Sequence, residues 1–132
     1  MSARIIFSMT VIACLSLGCG SSGTGTKREN VEEVTAKRIE VFGDKLNGER
    51  RAMSCTLVRV TNTWVDILLK DSSYVGVYVK DMEGNHFQYG FAKKDKFGEE
   101  LLKMKSGDRM RIIGTIQKVG FEYGIIIDAI ER

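Results

Sequence analysis

From Arg51 onward apolar and polar positions mostly alternate, the period-two pattern of half-buried strands. Arg51 to Asn62 carries Met53, Cys55 and Leu57 on one face. Val58 and Val60 then shift that face by one, which predicts a bulge or strong coiling. Tyr74 to Lys80 groups Val75, Val77 and Val79, and Phe87, Tyr89 and Phe91 alternate after the turn Asp81-Met82-Glu83-Gly84-Asn85. The period then lengthens. Asp95 is placed to N-cap a helix with the stripe Phe97, Leu101 and Met104, and Gly107 sits where a left-handed residue ends such a helix. Met110, Ile112 and Ile116 restore alternation, Val119-Gly120 turns the chain, and Tyr123 to Ile130 is a last, very apolar strand.

Upstream, Val31, Val34, Ile39, Phe42 and Leu46 roughly follow a helical stripe, with Gly43 and Asn47-Gly48 as stops. An amphipathic helix over Asn30 to Phe42 is expected. A short strand from Lys37 to Phe42 competes with it.

Turn chemistry predicts which side the aromatics take. Asp first and Gly fourth suit a type I turn with a Gly bulge, so Asp81 opposes Asn85. Val79 then pairs with Phe87, Val77 with Tyr89 and Val75 with Phe91, all facing the interior. A one-residue slip would expose three aromatics, each hiding up to about 150–250 Å² when buried, and would cost several kcal/mol at about 25 cal/mol per Å². That leaves Tyr78, Lys80, His86 and Gln88 on the outer face as a candidate ligand platform. Phe121 and Tyr123, in the loop before the last strand, are candidate rim residues, and Trp64 is expected to plug a barrel end.

Three strands, one helix and two strands is the order of the OB-fold, a five-stranded Greek-key barrel. The expected class is mainly β, with the helix between strands three and four and a possible N-terminal helix. The run Leu101-Leu102-Lys103-Met104-Lys105-Ser106-Gly107-Asp108-Arg109-Met110-Arg111-Ile112-Ile113-Gly114 resembles the Leu-x-x-Leu-x-x-Gly-Asp-x-Val-x-Val-x-Gly segment of many OB proteins. The likeness is to secreted and lipid-anchored bacterial OB domains of the anticodon-binding-like group, over roughly Glu49 to Arg132. It implies a fold more than a ligand, since such barrels host oligonucleotides, oligosaccharides and proteins.

The N-terminus adds a location. Arg4 is followed by thirteen uncharged residues, Ile5 to Leu17. That is too short to span a bilayer core, which takes about 20, and fits a signal-peptide h-region. Leu15-Ser16-Leu17-Gly18-Cys19 resembles a bacterial lipobox, in which the Cys thiol takes a diacylglycerol carrying palmitate-type chains and the chain is cut before it. Cys14, after Val11-Ile12-Ala13, competes. A cut before Cys19 leaves a longer h-region and puts a Gly/Ser tether directly after the lipid. The expected organisation is a signal over 1–18, lipidated Cys19 and tether over 19–30, a lead-in over 31–48 and the barrel over 49–132. By the same resemblance Gly20 points to an outer-membrane lipoprotein facing the periplasm. Cys55 is then the one free thiol of the mature chain, and its neighbours at period two make it a core residue.

Composition removes most other classes. Basic residues number 20 against 17 acidic, for a net +3, with 43% hydrophobic residues, no Pro and one His. These are values of an ordinary globular domain. No Cys-x-x-Cys, His-Glu-x-x-His, Gly-x-Ser-x-Gly or phosphate-loop motif occurs. No cofactor or metal is implied, and no enzymatic role beyond a remote nuclease-like use of Arg109, Arg111 and Asp128. Lys93, Lys94 and Lys96 are interleaved with acids, not arrayed as a basic stripe. The expected role is a non-enzymatic, lipid-anchored envelope module binding a protein or glycan. The alternative is binding of single-stranded nucleic acid on the outer sheet face.

Overall fold

The computed structural model describes residues 28–132. The expected signal segment, the choice between Cys14 and Cys19 and most of the tether lie outside the described residues. The elements run α1 (Ala36–Leu46), β1 (Arg50–Thr61), a π-helical turn (Val65–Leu69), β2 (Tyr74–Asp81), β3 (His86–Lys93), α2 (Lys94–Lys103), β4 (Arg109–Val119) and β5 (Glu122–Glu131). The strands close in the order β1-β2-β3-β5-β4, every pairing antiparallel except β3 with β5. This is the expected five-stranded OB barrel with its helix between strands three and four.

Alternation fills the barrel. Met53, Cys55, Leu57, Val77, Val79, Phe87, Met110, Ile112, Ile116, Ile125 and Ile127 form one buried cluster with Phe97 and Leu101 of α2. The expected bulge falls at Val58, where pairing steps from Leu57 with Val79 to Arg59 with Tyr78. Gly107 does not end the helix: α2 stops at Lys103 behind an extended Met104, and the φ of +96° at Gly107 serves the next turn, where the Asp108 amide donates to the Lys105 carbonyl at 3.0 Å. Asp95 is not the cap: α2 begins at Lys94, behind an extended Lys93 with no side-chain cap bond.

The N-terminal helix exists, but starts later than the apolar spacing implied. The described residues before Thr35 are not helical: Glu33 bridges Ala52 in parallel, with Val34 donating to the Ala52 carbonyl at 2.8 Å and Ala52 donating to the Glu32 carbonyl at 3.0 Å. Val31 and Val34 therefore belong to a strap along β1, and no strand forms over Lys37 to Phe42. Thr35 is the N-cap, its hydroxyl accepting from the Arg38 amide at 3.2 Å. Gly43 does not stop the helix. It lets the helix lie against Tyr123, whose ring would stand 2.5 Å from a Cβ at that position.

The hairpin departs from its expected register halfway along. The turn is as read: Gly84 takes φ +90°, and Val79 pairs with Phe87. Beyond it Tyr78 faces both Gln88 and Tyr89, so Val77 pairs with Gly90 and Gly76 with Phe91. Phe91 thus points out of the barrel, against the expectation. It is nevertheless fully buried, because Val65, Leu68 and Val119 cover it in a second cluster. The slip penalty vanishes because the outer face there is not solvent. Trp64 belongs to that cover, edge-on to Tyr89 at 5.7 Å between centroids, and does not plug a barrel end.

Cys55 is completely buried. Burial is the main cause pushing its thiol up to about 12, with Asp81 and Glu33 adding to it. Native protein at pH 8 is expected to resist iodoacetamide at Cys55 and to label fully in denaturant. Rapid native labelling would contradict this packing.

Candidate functional site

The outer face of β1–β2–β3 carries a connected polar-aromatic group. Lys80 pairs with His86 and Arg59 with Tyr78 across the strands. The Tyr78 hydroxyl and His86 Nδ1 lie 3.0 Å apart, with the rings edge-to-face at 5.5 Å. The Arg59 guanidinium sits 5.5 Å from the Tyr78 ring centre. Arg59 was not singled out by its own strand's alternation. The bulge at Val58 is what turns it outward.

A cleft of about 420 Å³ opens beside this group, between α1, β3 and the start of β5. Its walls include His86, Gln88, Tyr89, Tyr123, Glu40 and Glu122. Its charges are mixed, since Lys37, Glu40 and Glu122 all line it. Tyr89 keeps its phenol protonated beyond the usual range, mainly through burial and then through Glu122, so it offers a hydroxyl donor at neutral pH.

Of the expected site residues, His86, Gln88 and Tyr123 share the cleft, while Tyr78 and Lys80 lie on the sheet face beside it. His86 belongs to both and is the common wall. Phe121 is 70% exposed and lines neither. Tyr123 is pressed on Gly43, with Lys118 Nζ 5.8 Å from its ring centre, so only part of it is open to a ligand. Glu40 was missed because the cleft depends on where α1 docks.

Two candidates for nuclease-like chemistry are structural. Arg111 is buried and bonded to Glu33 Oε2 at 2.6 Å and Glu131 Oε1 at 3.0 Å. Asp128 pairs with Arg50 at 2.6 Å, and Arg50 also pairs with Glu29. No group of three or more metal-ligating side chains occurs among the described residues. No described helix is long and apolar enough to cross a membrane.

No family model and no curated protein matches the chain. Solved structures do. Two crystal structures of asparaginyl-tRNA synthetase from Pyrococcus horikoshii, one complexed with asparaginyl-adenylate, align over 76% of this chain at 11% identity, with TM-scores of 0.54 for the complex and 0.55 for the other. The aligned part spans 22% and 23% of the synthetase chains. OBody AM1L10 bound to hen egg-white lysozyme aligns over 79% of this chain and 95% of its own, at 14% identity and TM-score 0.57. At these identities the likeness is one of fold: the chain is an OB-fold barrel.

Proposed function

We propose that the chain is a non-enzymatic OB-fold binding module, held at the bacterial envelope by a lipid on Cys19, whose cleft takes a protein or glycan. The observation that carries the ligand class is the wall chemistry of the cleft. Two tyrosines, two amides, an imidazole and charges of both signs suit a neutral or mixed-charge surface better than a polyanion. The OBody complex, a barrel of similar size seated on lysozyme, supports a protein ligand on this scaffold. The anchor rests on the lipobox-like sequence, and its test is mass spectrometry of the native N-terminus. A diacylglycerol on Cys19 is expected, and an unmodified thiol ends that part of the reading.

A second reading has its own observation: Arg59 stacked on Tyr78, with Lys80 and His86 adjacent, is a platform for unstacked bases. The likeness to a tRNA synthetase chain favours the same side. Gel shifts with short single strands at low and high salt separate the two. Under the main reading any oligonucleotide binding is weak, collapses with salt, and is as strong in Tyr78→Ala as in the native sequence. Tight binding lost in Tyr78→Ala establishes the second reading instead.

A further inference from the structure

A second cleft, of about 580 Å³, lies away from the first, where the start of β4 and the end of β5 meet β1 and the β2–β3 turn. Arg28, Arg109 and Arg132 line it, with the Ser54 hydroxyl and the apolar side chains of Met82 and Met110. Of the other described arginines, Arg111 also lines the cleft but is bound to Glu33 and Glu131, while Arg50 and Arg51 pair with carboxylates and Arg38 and Arg59 lie over aromatic rings. Arg109 is exposed and has no carboxylate, hydroxyl or aromatic partner among the described residues. Among the described residues Arg28 reaches Ser54 Oγ, at 3.4 Å, and Arg132 reaches Asp108, at 3.8 Å. The remaining carboxylate in the wall, Glu131, is spent on Arg111, as is nearby Glu33.

With Glu131 the one carboxylate in the wall and Arg111 already bound to it, the three guanidiniums leave the opening with an excess of positive charge. We propose that this cleft binds the phosphate of a phosphorylated ligand, Arg28, Arg109 and Arg132 supplying the donors and Met82 and Met110 receiving the carbon next to it. A phosphomonoester fits better than a carboxylate, because it offers three acceptor oxygens to three N–H forks where a carboxylate offers two. The inference is independent of the ligand assigned to the first cleft.

The test uses the full chain carrying Cys19→Ser, which takes no lipid there, and counts as cleft binding only the flotation that Arg109→Ala in the same background loses, because the apolar segment Ile5 to Leu17 is common to both. Two probes are used: inorganic phosphate by calorimetry, and flotation with phosphatidylcholine vesicles with or without phosphatidic acid, whose headgroup is a phosphomonoester. Arg109→Ala is expected to weaken phosphate binding about tenfold or more, as loss of a charge-assisted contact does, with Arg109→Lys retaining part of it. An unchanged melting temperature in Arg109→Ala separates lost binding from lost folding. Flotation on phosphatidic acid that inorganic phosphate competes away identifies a lipid headgroup as the source. Phosphate binding without flotation identifies a soluble phosphorylated ligand. If neither probe binds, or if both bind Arg109→Ala and the Arg109→Ala/Arg132→Ala double variant as well as the parent, the site does not exist.

Discussion

Asp81→Ala is expected to destabilise the fold by about 2–3 kcal/mol, lowering the melting temperature by on the order of 10 °C. The cause is a carboxylate that is 4% exposed and accepts three backbone amides. Its Oδ1 takes Glu83 at 3.1 Å and Asn85 at 2.9 Å, closing the turn between β2 and β3. Its Oδ2 takes the amide of Ala36, the first residue of α1, at 2.9 Å. One side chain therefore shapes a hairpin and anchors a helix N-terminus 45 residues away in sequence. Its charge also complements the helix dipole there. In Asp81→Ala the exposed amides of Glu83 and Asn85 find water, but the Ala36 amide is buried and does not. Asp81→Asn tests the same point more finely. Its amide nitrogen would donate where Oδ2 accepts, so the helix bond is lost while the turn bonds survive. Urea unfolding of the three proteins, with hydrogen exchange on α1, is the measurement. If both variants match the parent, the buried carboxylate contributes nothing.

That contact also marks what the sequence could not reveal. Strand alternation was legible because each strand presents one face to a common interior, so Met53, Cys55 and Leu57 or Val75, Val77 and Val79 declare themselves locally. The turn at Asp81 to Asn85 was legible through its Gly84. Register beyond it was not. The bulge opposite Tyr78 depends on Gly90, where a Cβ would stand 2.8 Å from the Val77 carbonyl oxygen, and on a cover for Phe91 supplied by Val65 and Leu68. Both are long-range facts. The platform of Tyr78, Lys80 and His86 was readable because the pairing holds as far as Lys80 with His86. The cleft was not, since its second wall is α1, placed by Gly43 against Tyr123 and by Asp81. The strap over Glu29 to Val34 mimicked a helix because Val31 and Val34 stand three apart. Only Ala52, lying beside it, shows that the segment is not helical.

The strap leads to the largest expected loss. Arg111→Met should cost about 3 kcal/mol near neutral pH, the low end for breaking a buried ion pair, because Glu33 is half exposed and can rehydrate. The guanidinium donates to Glu33 and Glu131, and also to the carbonyls of Glu29 at 2.9 Å and Val31 at 2.9 Å. It therefore fastens the strap to β4 and β5. Met fills similar volume but leaves two carboxylates and two carbonyls without their donor. The pH dependence follows from Glu33. Burial pushes its carboxyl up, but bonds from Arg111 and Ser54 outweigh that and hold it below the usual range. A carboxyl depressed in the folded state adds stability that is complete above its unfolded value, near pH 4.3, and is lost as pH falls through the lower folded value. The variant lacks the main bond behind that depression. The stability gap between parent and Arg111→Met should thus be widest at about pH 7 and narrow steadily below about pH 4. Urea midpoints measured across this range decide it: a gap that stays constant with pH would show that Arg111 acts through packing alone and that Glu33 is not its electrostatic partner.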